Sequence, residues 1–289
     1  MYYYIYDSYV ADGKYKKLIA QIETTLTDLD IAGEREKVTP IRPVQDLVKI
    51  ALERDIKTVI LVGNDYTFTK ALNASLVLGM HPEDIVFGII PIGEPNRIAN
   101  MLGIPSNASA CQEIARRKLD SLDLGKVNKR FFITTVDVGF EAEYKTRKDL
   151  VQERIGKFST SRRIKKYKVQ PVRVVIDNQY QIKCDLFNVS VINLSDTSFA
   201  RANVNPKDKV LNVCVVPYSE KIFKKIKFVV QKQYEKLPDA SIFKAEHVRI
   251  DGPKIVKIAT DGVLYDVLPL EIDVIPKVLK VIVGKGRVF

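Results

Sequence analysis

The chain has 289 residues, 46% of them apolar and 28% charged, with only 14 Gly and 13 Pro. That allows one large domain or two ordinary ones with real cores, and it excludes disordered, collagen-like and low-complexity classes. Lys and Arg total 46 against 35 Asp and Glu, a balance of +11 that favours an anionic partner: a nucleotide, a nucleic acid or an acidic lipid surface.

No apolar run approaches the ~18 residues that a membrane-crossing helix needs, and Met1 to Ala20 lacks the pattern of a secretion signal. Cys111, Cys184 and Cys214 are too few and too scattered for a disulfide framework or a metal cluster, so a cytoplasmic location is expected.

The first ~126 residues alternate strand and helix patterns. Tyr2 to Tyr6 is a short aromatic, strand-prone run. Tyr15, Leu18, Ile19, Ile22 and Leu26 then recur at helical spacing. Pro43 suits a first helical turn ahead of Val44, Leu47, Val48 and Ala51. Thr58 to Val62 is a continuous β-branched run, as expected of a strand buried on both faces of a parallel sheet. Leu72, Leu76 and Gly79 read as a helix with a glycine stop, and Ile85 to Ile90 as a second buried strand. Ser109 and Gln112 fit a capping box for a helix running through Cys111, Ile114, Ala115, Leu119 and Leu122. This order predicts an open, mostly parallel α/β sheet in residues 1–126.

From residue 127 to 289 the pattern is mainly strands: Phe131 to Val138, Pro171 to Asp177, Ile182 to Asn193, Val210 to Val216 and Val248 to Val283. These predict a β-sandwich-like second domain, its final strands packing near the domain junction. Two basic stretches interrupt them. Lys145 to Lys168 holds ten Lys or Arg against Asp149 and Glu153, read either as a solvated helical face or as a contact for anionic lipid headgroups. Glu220 to Lys236 carries an Ile222, Ile226, Val229 and Val230 stripe between lysines, read as core-facing, with a second lipid contact as the alternative. His81 and His247 are isolated. No P-loop, nucleophile elbow, zinc-protease or Cys-x-x-Cys motif occurs, and no RNA-recognition motif supports nucleic-acid binding.

The junction Val62-Gly63-Asn64-Asp65-Tyr66-Thr67 lies where a buried strand gives way to a helix. There the carboxyl edge of an open sheet and a helix N-terminus offer N–H groups to an anion; a plain turn capped by Asp65 or Thr67 is the alternative. A second segment follows, Gly88-Ile89-Ile90-Pro91-Ile92-Gly93-Glu94-Pro95-Asn96-Arg97-Ile98-Ala99, then Leu102-Gly103-Ile104-Pro105. Together they resemble the diacylglycerol kinase catalytic-domain family, which is related to NAD kinases and carries GGDGT and then an IPxGTxND segment ending in LGIP. Downstream, Val138-Gly139-Phe140-Glu141-Ala142-Glu143 is similar to the family's GFDAE segment. Arg154-Ile155-Gly156-Lys157 is similar to its basic stretch, and Asp261-Gly262 to its DGE.

The resemblance implies ATP-dependent phosphorylation of a lipid hydroxyl with Mg2+, at an anionic membrane surface bound peripherally; a second copy of the chain is a further admissible partner. By position it implies nucleotide contacts from Gly63, Asn64, Asp65, Thr67, Gly93, Asn96 and Arg97, with Asp65 on the metal and Asp261 as general base. The chain departs from the pattern around this site. Asn64 and Tyr66 replace glycines that permit close approach to phosphate. Glu94 and Pro95 replace Thr and Gly, Arg97 reverses an acidic position, and Val263 replaces the Glu after Asp-Gly. A Tyr6-Asp7-Ser8-Tyr9-Val10 turn replaces the family's first glycine turn. Two expectations stand side by side: an active lipid kinase, or a family member that binds nucleotide, lipid or protein without turnover. For Asp261-Gly262, a hairpin turn is the alternative to a base.

Overall fold

The computed structural model describes residues 1–11, 13–78, 85–143, 167–195, 204–219, 222–264 and 267–289. Arg154 to Lys157, His81, Gly79 and nearly all of the Lys145 to Lys168 stretch lie outside them. Two units divide the chain: residues 1–124 with 276–289, and residues 125–275.

The first unit is a parallel sheet with helices. Strand β1 (Tyr2–Tyr6) lies between β2 (Glu34–Lys37) and β3 (Thr58–Gly63), and β3 pairs with β4 (Val86–Pro91), all parallel. Phe87 of β4 is in register with Val281, near the end of a long strand, β15 (Leu270–Ile282), that enters this unit from the second. Every residue of β3 and β4 is buried, which the unbroken apolar runs require of central parallel strands. The edge strand β2 is Glu-Arg-Glu-Lys, with alternating exposure. Such charge marks a solvent-facing edge and hides the strand from hydrophobicity alone.

Helices α1 (Lys16–Asp28), α2 (Val44–Glu53) and α3 (Asp65–Val77) bury Ile22 and Leu26, then Leu47, Val48 and Ala51, then Phe68, Ala71 and Leu72. Pro43 is the N-cap of α2 rather than its first helical residue. A five-residue α4 (Arg97–Met101) and α5 (Ser109–Arg116) follow. The expected helix through Leu122 is shorter than its apolar pattern: Arg117 turns left-handed at φ 49°, and Leu119 opens strand β5 (Leu119–Val127). Ser109 is not a cap; Ala108 takes that place, without a side-chain hydrogen bond.

The second unit is antiparallel. Strand β9 (Tyr180–Ile192) serves two sheets. Its first half pairs with β8 (Gln170–Ile176) and its second half lies between β7 (Thr135–Gly139) and β10 (Leu211–Pro217). Beyond β8 come β12 (His247–Asp251) and the first part of β15. Beyond β7 comes β13 (Ile258–Thr260), which pairs with β14 (Val263–Leu264), and beyond β10 comes β11 (Ser241–Ala245). A short β6 (Arg130–Phe132) hairpins with the end of β5. Inward residues from both sheets, among them Val136, Val174, Val189, Val213, Val248 and Leu270, form one core, as expected of a sandwich whose corner strand changes sheet.

Helix α6 (Ile222–Val230) buries Val229, and Ile226 packs on a second cluster with Phe187 and Tyr234. Of the expected stripe, Ile226 and Val229 face this core, whereas Val230 is exposed. Two lysines of this segment, Lys225 and Lys232, are themselves buried.

Candidate functional site

Strand β3 ends at Gly63, where a close packing contact forbids a side chain: a Cβ there would lie 2.6 Å from Thr67 Oγ1 and 3.2 Å from Asp7 Cβ. Asn64 then caps α3. Its Oδ1 accepts from Tyr66 N at 3.0 Å and Thr67 N at 3.3 Å, while Asn64 N donates to Thr67 Oγ1 at 3.4 Å, closing a capping box. The cap is therefore Asn64, not Asp65 or Thr67. Its amide also reaches across the turn, Nδ2 donating to Glu94 O at 2.9 Å.

Asp65 N donates to Pro95 O at 2.9 Å. The Asp65 carboxylate is buried and caps the next helix, accepting from Arg97 N at 3.0 Å and Ile98 N at 2.9 Å; Arg97 Nε stands 3.9 Å away. The first three N–H groups of α3 and the first two of α4 thus all have acceptors within the chain. Thr67 Oγ1 donates to Asp7 Oδ2 at 2.5 Å, so a carboxylate of the chain already sits by this helix start, as the dipole favours. Tyr9 OH donates to Ile92 O at 2.5 Å, and its ring covers Gly93, where a Cβ would lie 2.8 Å from Tyr9 Cε2. Burial first, then Asp7, raises the Tyr9 phenol above its ordinary range. Asn96 Oδ1 is buried without a hydrogen-bond partner among the described residues.

The seven residues expected around a nucleotide are therefore neighbours at one sheet edge, their hydrogen bonds shared among themselves and with Asp7, Tyr66, Glu94, Pro95 and Ile98. Asp7 and Tyr9 complete the arrangement. Sequence reasoning placed both in the turn that replaces the family's first glycine turn but assigned neither a contact.

Asp261 lies in the second unit. With φ values of 48° and 81°, Asp261 and Gly262 form the two-residue turn between β13 and β14, so the hairpin reading holds. The carboxylate accepts from Thr134 Oγ1 at 2.6 Å and from the N–H groups of Thr134, Ile133 and Thr135 at 2.7, 3.1 and 3.3 Å. Burial nevertheless raises its pKa, against the opposing pull of those bonds.

A second buried cluster escaped sequence reading. Lys232 Nζ donates to Asp137 Oδ1 at 2.8 Å and Glu141 Oε2 at 3.1 Å. Tyr234 OH donates to Ser190 Oγ at 2.6 Å, and Ser190 Oγ to Asp137 Oδ1 at 2.6 Å. Burial, then the two carboxylates, push the Tyr234 phenol well up, and burial takes the nearby Cys214 thiol to about 12. A lone Lys232 inside a basic stretch gives no sign that it is buried.

Two family models match in succession: "Diacylglycerol kinase catalytic domain" over residues 2–127, and "YegS C-terminal NAD kinase beta sandwich-like domain" over residues 134–283. The chain belongs to the diacylglycerol kinase family of NAD-kinase-like proteins. A diacylglycerol kinase of Mycobacterium tuberculosis is 22% identical over 258 residues, covering 82% of this chain and 80% of the relative. One from Staphylococcus carnosus is 31% identical over 101 residues, 34% of this chain and 32% of the relative. Among solved structures, a diacylglycerol kinase from Bacillus anthracis matches with a TM-score of 0.75 at 20% identity, covering 99% and 97% of the two chains. An NAD kinase from Archaeoglobus fulgidus, solved in complex with ATP, matches at 0.54 and 13% identity, covering 99% and 95%. These likenesses establish an α/β sheet followed by a β-sandwich-like domain.

Membership in this family implies ATP and Mg2+ at the sheet edge. The donor set of this member does not fit them. A triphosphate on the two turns meets N–H groups already bound to Pro95 O, Asn64 Oδ1 and the Asp65 carboxylate. A metal at Asp65 meets an acid whose two oxygens accept backbone N–H groups beside a guanidinium. Among the described residues no cluster of three or more His, Cys, Asp or Glu could hold a metal ion.

Proposed function

We propose that this lipid-kinase-family protein works as a binding module rather than as an efficient ATP-dependent phosphotransferase. The observation that supports the reading is the closed hydrogen-bond circuit at the ends of β3 and β4, in which Asn64, Asp65 and Pro95 take the N–H groups that a phosphate would need. Displacing them costs the cap of α3 and leaves the Asp65 carboxylate facing a polyanion without its backbone donors, a penalty that phosphate contacts must first offset. Tyr66 and Glu94 add bulk and negative charge to the same approach. The excess of basic residues, including those between Lys145 and Lys168, supports peripheral contact with an anionic lipid surface.

The second reading is a working lipid kinase, with ATP and Mg2+ at Asp65 and Asp261 as the base. It is favoured by the buried Asp261 carboxyl, whose pKa burial raises, the direction that suits a general base. Purified protein incubated with Mg2+, labelled ATP and vesicles carrying diacylglycerol, sphingoid base or undecaprenol separates the two. The expected result is no transfer above background to any acceptor. Label in one lipid, lost in Asp261→Asn, establishes the kinase reading instead.

A further inference from the structure

Two strand segments of the second unit run without a neighbour on one side. Among the described residues, β11 pairs with β10 alone, and Tyr180 to Cys184 of β9 pair with β8 alone. Both edges lie on one flank of the sandwich, where the rings of Tyr180 and Phe243 meet with centroids 6.3 Å apart. The flank is apolar and open: Ile182, Cys184 and Phe243 pack on the core yet are only partly buried, and Tyr180 and Ile242 are 59% and 41% exposed. Apart from the pairing with β10, the backbone of Ser241 to Ala245 makes no hydrogen bond among the described residues. One side of the strand therefore presents its N–H and C=O groups as a template for pairing.

The edge strand β2 of the first unit is charged at all four positions, the usual guard against pairing with another chain. Strand β11, Ser-Ile-Phe-Lys-Ala, has one charge, and Lys244 Nζ is held by Asp208 Oδ2 at 2.9 Å. A helix laid on this flank would cover the side chains but leave the edge N–H and C=O groups without partners, whereas an extended strand satisfies them. We propose that the strand is supplied by a second copy of this chain, β11 pairing antiparallel with its twin across a two-fold axis at Phe243. In that register Ser241 faces the partner's Ala245 and Ile242 faces the partner's Lys244. No like charges meet, and the aliphatic stem of each lysine lies along an isoleucine. Phe243 meets the partner's Phe243 beside Tyr180, so each copy covers apolar surface that the other leaves open. The contact is isologous and closes at two chains. It stands apart from the nucleotide reading, because none of its residues takes part in that site.

Sedimentation equilibrium of the full chain, from roughly micromolar to hundreds of micromolar concentration, tests it. A reversible monomer–dimer equilibrium with no larger species is expected. Ile242→Lys sets two pairs of lysines face to face and should weaken the dimer about tenfold at low salt. The melting temperature at dilute, monomeric concentration should not move, since the side chain at this position is exposed. Lys244→Glu alone should change the dimer little, because it faces an isoleucine. Combined with Ile242→Lys it should restore dimerisation, each new lysine then facing a glutamate, a rescue that a fold defect would not show. A chain that stays monomeric throughout overturns the proposal and leaves the edge to a strand of another protein. So does a dimer indifferent to Ile242→Lys, or one that the double substitution fails to restore.

Discussion

Asn64 stands where the family motif has a glycine, and its side chain takes up N–H groups that the motif leaves open. Replacing it by alanine removes the acceptor for Tyr66 N and Thr67 N and the link to Glu94 O. A loss of about 1 kcal/mol is expected from the cap alone, read from urea unfolding. Asp261 makes a second residue-scale case. Burial raises its pKa in the fold, so between the ordinary carboxylate value and that raised value the folded chain binds more protons than the unfolded one. Its contribution to stability is full below the window and falls as pH rises through it. The stability difference between wild type and Asp261→Asn, followed against pH, should therefore shrink across this window; a flat difference contradicts the buried, proton-favouring environment. Asp261→Ala should cost about 3 kcal/mol or more at any pH by stranding the buried donors of Ile133, Thr134 and Thr135.

At the scale of elements, strands β1, β3 and β4 were legible because apolar runs bounded by turn residues admit few alternatives. Helix α5 was overextended because Leu119 and Leu122 continue a helical spacing that the left-handed Arg117 interrupts; periodicity does not register one backbone reversal. β2 was missed for the opposite reason, its four charged residues being stabilised by pairing with β1 and by ion pairs such as Arg54 to Glu34 at 2.5 Å. The segment after α6 is the least legible. Lys232 follows a helix end in a lysine-rich run, yet it supplies the cation for two buried acids on and just after β7. Lys232→Met should destabilise the protein by about 3–5 kcal/mol, because it leaves both acids buried without their partner. Adding Asp137→Asn should recover part of that loss. Urea midpoints of the single and double variants check both statements, and full additivity would show that the pair is not coupled.

At the scale of the whole chain, family and fold could be read from a few short segments because their order survives even where their chemistry has drifted. The state of the site could not be read in the same way. Whether an N–H is free depends on where Pro95 O and the Asp65 carboxylate lie in space, and no local pattern records that. The net charge of +11 leads to a further expectation: sedimentation with anionic vesicles should be strong at low salt and weaken steeply as ionic strength rises, as electrostatic adsorption does. Salt-independent binding would point to apolar insertion instead.

The most direct test is calorimetric titration of ATP with Mg2+ into the wild-type chain and into the Asn64→Gly, Tyr66→Gly, Glu94→Thr triple variant. The closed circuit at the sheet edge requires no saturable, magnesium-dependent binding by the wild type and its appearance in the variant. Tight magnesium-dependent binding by the wild type, unchanged by the three substitutions, would contradict it.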